Sequence, residues 1–125
     1  MDARAIEAWA GAKRPERYRL AVAESIMLVA ECDGAVAGFG ELHLATAELK
    51  AVYVRPDSLR RGIGRRVLRT LEEAGRQRGL RRIELRATLN AIPFYQAQGY
   101  ELGETTTFPL DGSLTVACAR FHKVL

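Results

Sequence analysis

Gly62 and Gly64 stand two residues apart in "YVRPDSLRRGIGRRVL", residues 53 to 68, with five arginines around them. That combination suits an anion. The opening turn of a helix leaves N–H groups without intrahelical partners and carries roughly half a positive charge. Glycine lets an oxygen approach the backbone of residues 60 to 65 with no Cβ in the way. Arg60, Arg61, Arg65, Arg66 and Arg69 fall within one loop and two helical turns and bring charge to the same place. Taken alone, the glycines suit a plain strand-to-helix turn equally well. Two common phosphate-binding motifs are excluded: no Lys-Ser/Thr follows the glycines as in a P-loop, and Val67 stands where a dinucleotide fingerprint has its third glycine.

Such a turn needs a strand before it and a helix after it. "ELKAVYV" (48 to 54) is an apolar strand that Pro56 ends. From Ile63, apolar Ile63, Val67, Leu71 and Ala74 recur at helical spacing, and Gly79-Leu80 reads as a Schellman stop. Upstream, "IMLVAE" (26 to 31) and "AVAGFGELHL" (35 to 44) are joined by Asp33-Gly34, a pair suited to the positive φ angles of a tight hairpin. The short "ATA" loop then makes a three-stranded meander. Ile6, Trp9, Ala10 and Lys13 have helical spacing, and Pro15 opens a second stretch in which Tyr18 and Val22 share a helical face, so two short helices are predicted first. "RRIELRAT" (81 to 88) alternates as a half-buried strand. Asn90 is placed to cap a short helix containing Pro93 and ending at Gly99, and Asp111-Gly112 signals a second hairpin.

A chain of 125 residues is long enough for one core, so a single domain over 1–125 is expected. Apolar content of 48% with 27% charged residues is that of a soluble globular protein, and no apolar run reaches membrane-spanning length, which points to a cytoplasmic protein without a membrane partner. Cys32 and Cys118, like His43 and His122, lack ligand spacing, so no metal and no disulfide framework is expected and both cysteines read as reduced core thiols. Nineteen basic against fifteen acidic residues give a net charge of +4, which favours an anionic ligand. The second basic group, Arg76, Arg78, Arg81, Arg82 and Arg86, has no interleaved aromatics, which argues for a solvated face and against nucleic acid.

"LKAVYVRPDSLRRGIGRRVLRTLE" resembles the cofactor motif of the GNAT superfamily, the acetyl-CoA-dependent N-acetyltransferases, in which a V-x-P strand end leads to Q/R-x-x-G-x-G/A and a long helix. "LNAIPFYQAQGY" (89 to 100) resembles the same superfamily's later motif, an asparagine followed by F-Y-x-x-x-G-F/Y, in the expected order and separation. The resemblance implies an α/β fold with a mixed, mostly antiparallel central sheet, flanked by helices and splayed at the cofactor site. It also implies direct acetyl transfer from acetyl-CoA (CoA), as co-substrate, to a primary amine, either a small molecule or an amino terminus.

Carried onto this sequence, the resemblance implies that the backbone at Val52, Tyr53 and Val54 pairs with the pantetheine arm. The loop Arg60, Arg61, Gly62, Ile63, Gly64 and Arg65 would hold the phosphates, and Asn90 either bonds the cofactor arm or only caps its helix. Tyr95 matches the tyrosine that gives a proton to the departing thiolate, the alternative being a core aromatic beside Phe94. A base for the ammonium is sought at Glu41 or Glu48, with His43 behind them.

Two departures bear on these expectations. Leu59 occupies the position of the motif's glutamine or arginine, a place Arg60 and Arg61 can fill. The helices read before Ser25 leave the family's usual first strand missing, so a sheet edge covered by a second subunit in a homodimer stays open. The runner-up function is accordingly a non-catalytic acyl-CoA-binding or regulatory module.

Overall fold

A computed structural model describes residues 8–10, 16–59 and 61–125, and the chain divides into two compact units at Leu80/Arg81. The first unit is an antiparallel meander of β1 (Ala8–Ala10), β2 (Glu16–Val22), β3 (Ser25–Cys32), β4 (Ala35–His43) and β5 (Glu48–Val54), followed by helix α1 (Ile63–Gln77). Asp33 and Gly34 take φ values of 53° and 81°, the pair of left-handed conformations that matches the twist of a two-residue hairpin.

The opening of the chain departs from the sequence reading. Residues 8–10 and 16–22 are strands, and the rest of the stretch read as helix over residues 2–13 lies outside the described residues. Tyr18 and Val22 do share a face, but four residues apart is a repeat of the strand period as well as of the helix. Leu20 between them completes the alternation, and Tyr18, Leu20 and Val22 pair with Ala30, Leu28 and Ile26 across the ladder. The ground for expecting a missing strand goes with those helices. Ala23 and Glu24 alone connect β2 to β3.

Helix α1 lies on one face of this meander. Its Ile63, Val67, Leu71 and Ala74 are buried as their spacing requires, and so are Leu68 and Gly75. Opposite them Ile26, Leu28, Leu42 and Leu49 are almost fully buried, each such side chain adding roughly 1.5–3 kcal/mol. Gly40 fixes how closely the helix approaches, because a Cβ there would stand 2.7 Å from side-chain atoms of both Val67 and Leu71. The helix ends as expected: Leu80 N–H donates to the Gly75 carbonyl and Gly79 N–H to the Arg76 carbonyl, each at 3.0 Å, with Gly79 at φ 88°.

The second unit comprises β6 (Arg82–Thr88), a 3-10 turn over Leu89–Ala91, helix α2 (Ile92–Ala97), β7 (Glu101–Asp111) and β8 (Leu114–Val124). Strand β8 lies between β6 and β7, antiparallel to both. Its core is built from Ile83, Leu85, Tyr95, Tyr100, Cys118, Ala119 and Phe121. The hairpin turn falls one residue later than expected, at Gly112-Ser113, since Asp111 pairs with Leu114. Cys32 and Cys118 are both buried free thiols.

Candidate active site

The loop entering α1 is shaped by its own short contacts. Arg55 donates from Nε to the Asp57 carboxylate, Ser58 Oγ donates to Asp57 Oδ1 at 3.3 Å, and Ser58 N–H donates to the Arg55 carbonyl at 2.8 Å. The Arg55 hydrogen bond holds the Asp57 carboxyl below its ordinary range. Gly62 then takes φ 75° as the residue before α1, a conformation that disfavours any side chain, and a Cβ there would meet nothing within 4 Å. The side of the turn that Gly62 presents is therefore open.

The helix start itself carries no side-chain cap and no acidic residue in its first turn. Most helices place a carboxylate or hydroxyl there to meet the unpaired N–H groups and the dipole. Here the first turn carries Arg65 and Arg66, and exposed Arg61 precedes it. Ile63 is buried beneath the helix, so only its backbone is available to a ligand, while Gly64 is half-buried. Leu59 is exposed, and Arg60 lies outside the described residues. An unneutralised helix start of this kind fits the phosphates of CoA by charge and by access.

In the second unit, Tyr95 is held by aromatic packing. Its ring lies 5.0 Å from Phe94, 5.7 Å from Tyr100 and 5.4 Å from Phe121, centroid to centroid. The end of α2 brings Tyr100 there: Tyr100 N–H donates to the Tyr95 carbonyl at 3.0 Å and Gly99, at φ 90°, donates to Gln96 at 3.1 Å. This is the same Schellman closure that ends α1, and the Tyr95–Tyr100 ring contact is its hydrophobic component. Burial leaves Tyr95 8% exposed and pushes its phenol from 10.0 up to about 12, so it stays protonated throughout the neutral range. Its hydroxyl makes no hydrogen bond among the described residues.

Asn90 does not cap α2. The intervening 3-10 turn moves the cap position to Ala91, with Pro93 just inside the helix, and the Asn90 amide oxygen accepts a hydrogen bond from Thr88 Oγ1. The two candidate bases differ in surroundings. Glu48 is paired with Lys50 at 2.9 Å. Half-buried Glu41 makes no hydrogen bond or ion pair among the described residues. His43 Nδ1 is 3.0 Å from Thr46 Oγ1. On β5, Val52 and Val54 are half-buried, and Tyr53 is exposed on the same sheet face as Glu41.

Residues 3–100 match the model of the acetyltransferase (GNAT) family. The chain belongs to that family. It is similar to a GCN5-related N-acetyltransferase from Rhodopseudomonas palustris, at 27% identity and a TM-score of 0.76, with 81% of this chain and 62% of that one covered. The ribosomal-protein-alanine N-acetyltransferase of Brucella melitensis is similar at 23% identity and TM-score 0.70, covering 81% and 69%. The PaiA N-acetyltransferase of Thermoplasma acidophilum, solved in complex with coenzyme A, is similar at 22% identity and TM-score 0.68, covering 82% and 62%. The chain thus spans about three fifths to seven tenths of the length of these structures. No curated protein matches it significantly.

This GNAT chain has the family's mixed, mostly antiparallel sheet with flanking helices, the fold that its motifs imply. No helix among the described residues is long and apolar enough to cross a membrane. The structure brings into view two residues that the sequence reading passed over, Met27 and Phe39, which flank Glu41 on the sheet face away from α1. Their signal was present: in both strands they fall on the phase opposite to the buried residues, where a polar residue is usual. The Gly38-Phe39-Gly40 spacing was a second one, since glycines on one face of a strand mark close approach by another element.

Proposed function

We propose that the chain transfers an acetyl group from acetyl-CoA to a primary amine. The observation that carries this reading is the start of α1, open at left-handed Gly62, uncapped, free of acid and rich in arginine. In this reading the backbone of residues 61–65, with Arg61 and Arg65, binds the phosphates, and Val52–Val54 align the pantetheine arm. Acetyl-CoA supplies an acetyl group already activated as a thioester.

The ammonium of the acceptor must lose two protons while nitrogen gains the acetyl group and sulfur leaves. Glu41 takes one of them toward solvent, and the other ends on sulfur. Glu41 suits the task better than Glu48 because Lys50 already neutralises Glu48. Tyr95 donates a hydrogen bond to the departing sulfur. Outright transfer from a phenol near 12 to an alkyl thiolate near 8.5 is uphill by roughly 5 kcal/mol, so the proton leaving nitrogen has to replenish it.

Calorimetric titration with CoA tests the phosphate assignment. Wild type binds CoA, dephospho-CoA binds more weakly, and Arg61→Ala and Arg65→Ala each lose about threefold to tenfold in affinity, more at low salt than at high salt. Equal affinities for all these pairs would remove the assignment. The second reading, a non-catalytic acyl-CoA-binding module, is favoured by the bare Ala23-Glu24 connection between β2 and β3, which leaves one sheet face without a helix from that part of the chain. CoA binding without turnover on any amine is its signature.

A further inference from the structure

The sheet face of the first unit that α1 does not cover has its own chemistry. Side chains alternate across a strand, so the ladder registers assign this face row by row. One row runs Arg19, Val29, Phe39, Tyr53 and the next Ala21, Met27, Glu41, Ala51. Met27, Phe39 and Tyr53 are 38%, 37% and 47% exposed, and the Phe39 and Tyr53 rings pack at 5.5 Å between centroids. Three large apolar side chains are thus grouped in the open beside Glu41, with His43 and Glu48 in the next row.

Glu41 has Met27 and Ala51 beside it across the ladder and Phe39 two residues before it on its own strand. It is half-buried and makes no ion pair or hydrogen bond among the described residues. Among the described side chains of the face, Arg19 Nη2 donates to Glu31 Oε2 at 3.4 Å, Lys50 donates to Glu48 at 2.9 Å, and His43, two residues after Glu41, has its Nδ1 3.0 Å from Thr46 Oγ1. A carboxylate with no partner among the described residues can take a ligand's ammonium as its counter-charge. Aromatic faces beside it attract the same ammonium. The apolar surroundings, in turn, suit a ligand whose body is apolar.

Resting on the reading above, we propose that this face is the acceptor platform and that its acceptor is a monoamine carried on an aromatic or aliphatic body. A polyamine would leave further ammonium groups over Met27 and Phe39, while Glu48 in the next row is already paired with Lys50. An acidic amine would bring a second anion to Glu41. A neutral alcohol of the same shape would leave Glu41 uncompensated.

The test is equilibrium binding of 2-phenylethylamine, hexylamine, spermidine, glutamate and 2-phenylethanol to the full chain, with and without saturating CoA. The two apolar monoamines bind at least about tenfold more tightly than the other three, a difference of about 1.4 kcal/mol. Glu41→Gln and Phe39→Ala each remove most of that preference, and Phe39→Leu, which keeps the bulk without the aromatic face, removes part of it, with circular dichroism showing all three folded. Spermidine binding as tightly as phenylethylamine, unchanged selectivity in the folded variants, or burial of Phe39 in a dimer of this chain overturns the proposal. Thiol release with polar amines and no apolar preference overturns it while leaving acetyl transfer intact. Selective amine binding with no thiol release from acetyl-CoA supports the platform and removes the enzymatic reading instead.

Discussion

Replacing Tyr95 by phenylalanine deletes one oxygen from an otherwise unchanged aromatic cluster, and the effect on stability can be worked out from burial alone. In the folded chain the phenol ionises near 12 against 10.0 when exposed. Between these values the unfolded chain has lost the proton that the folded chain still holds, so raising the pH favours unfolding. The contribution is fully present below pH 10 and is lost as pH rises through about 12, and its whole size is roughly 3 kcal/mol. Urea unfolding of wild type and Tyr95→Phe across pH 8 to 11.5 reads it directly, because every other titrating group is common to both proteins. Below about pH 9.5 the two differ by no more than about 1 kcal/mol, since the hydroxyl has no hydrogen-bond partner among the described residues. Above pH 10 the wild type loses stability faster than the variant, by up to about 1.4 kcal/mol per pH unit. Parallel curves would mean that the phenol ionises freely and that its burial has been misread.

Turnover separates the same side chain's catalytic part from its packing: Tyr95→Phe lowers acetyl transfer at neutral pH by at least about tenfold with CoA affinity nearly constant, as stopped thiol-release assays and calorimetry show. Glu41→Gln lowers turnover at least about tenfold further than Glu48→Gln does, measured on the same amine. Gly40→Ala destabilises the chain by about 1–3 kcal/mol in urea unfolding, because its methyl group would stand 2.7 Å from the side chains of Val67 and Leu71 in a close-packed layer. Gly62→Ala costs about 1–2 kcal/mol through φ 75° alone, since the space beside it is open, and it also weakens CoA binding in calorimetry.

Much of the fold was legible where proline and glycine punctuate strong periodicity. The bounds of β5 and the start of α1 follow from Pro56, the glycine turn and the apolar positions from Ile63 to Ala74, and Gly79 and Gly99 marked both Schellman ends. The first strands were misread because Tyr18 and Val22, four apart, satisfy two periods at once and only Leu20 separates them. Asn90 was misplaced because a 3-10 turn has no strong sequence signal, so a good capping residue stood three positions ahead of Pro93 without capping. The solitude of Glu41 was not legible at all. It depends on the register of three strands, which puts Met27 and Ala51 beside it, and on Lys50 having Glu48 within reach.

Acetyl transfer itself is measured most directly by mass spectrometry of the acceptor. The purified chain is incubated with acetyl-CoA and 2-phenylethylamine, and amide product and free CoA thiol are quantified together, with Glu41→Gln alongside. One acetyl group is gained per thiol released, at a rate that Glu41→Gln lowers by at least about tenfold. Saturable CoA binding with no acetylated product from this amine or from a wider amine panel would contradict it.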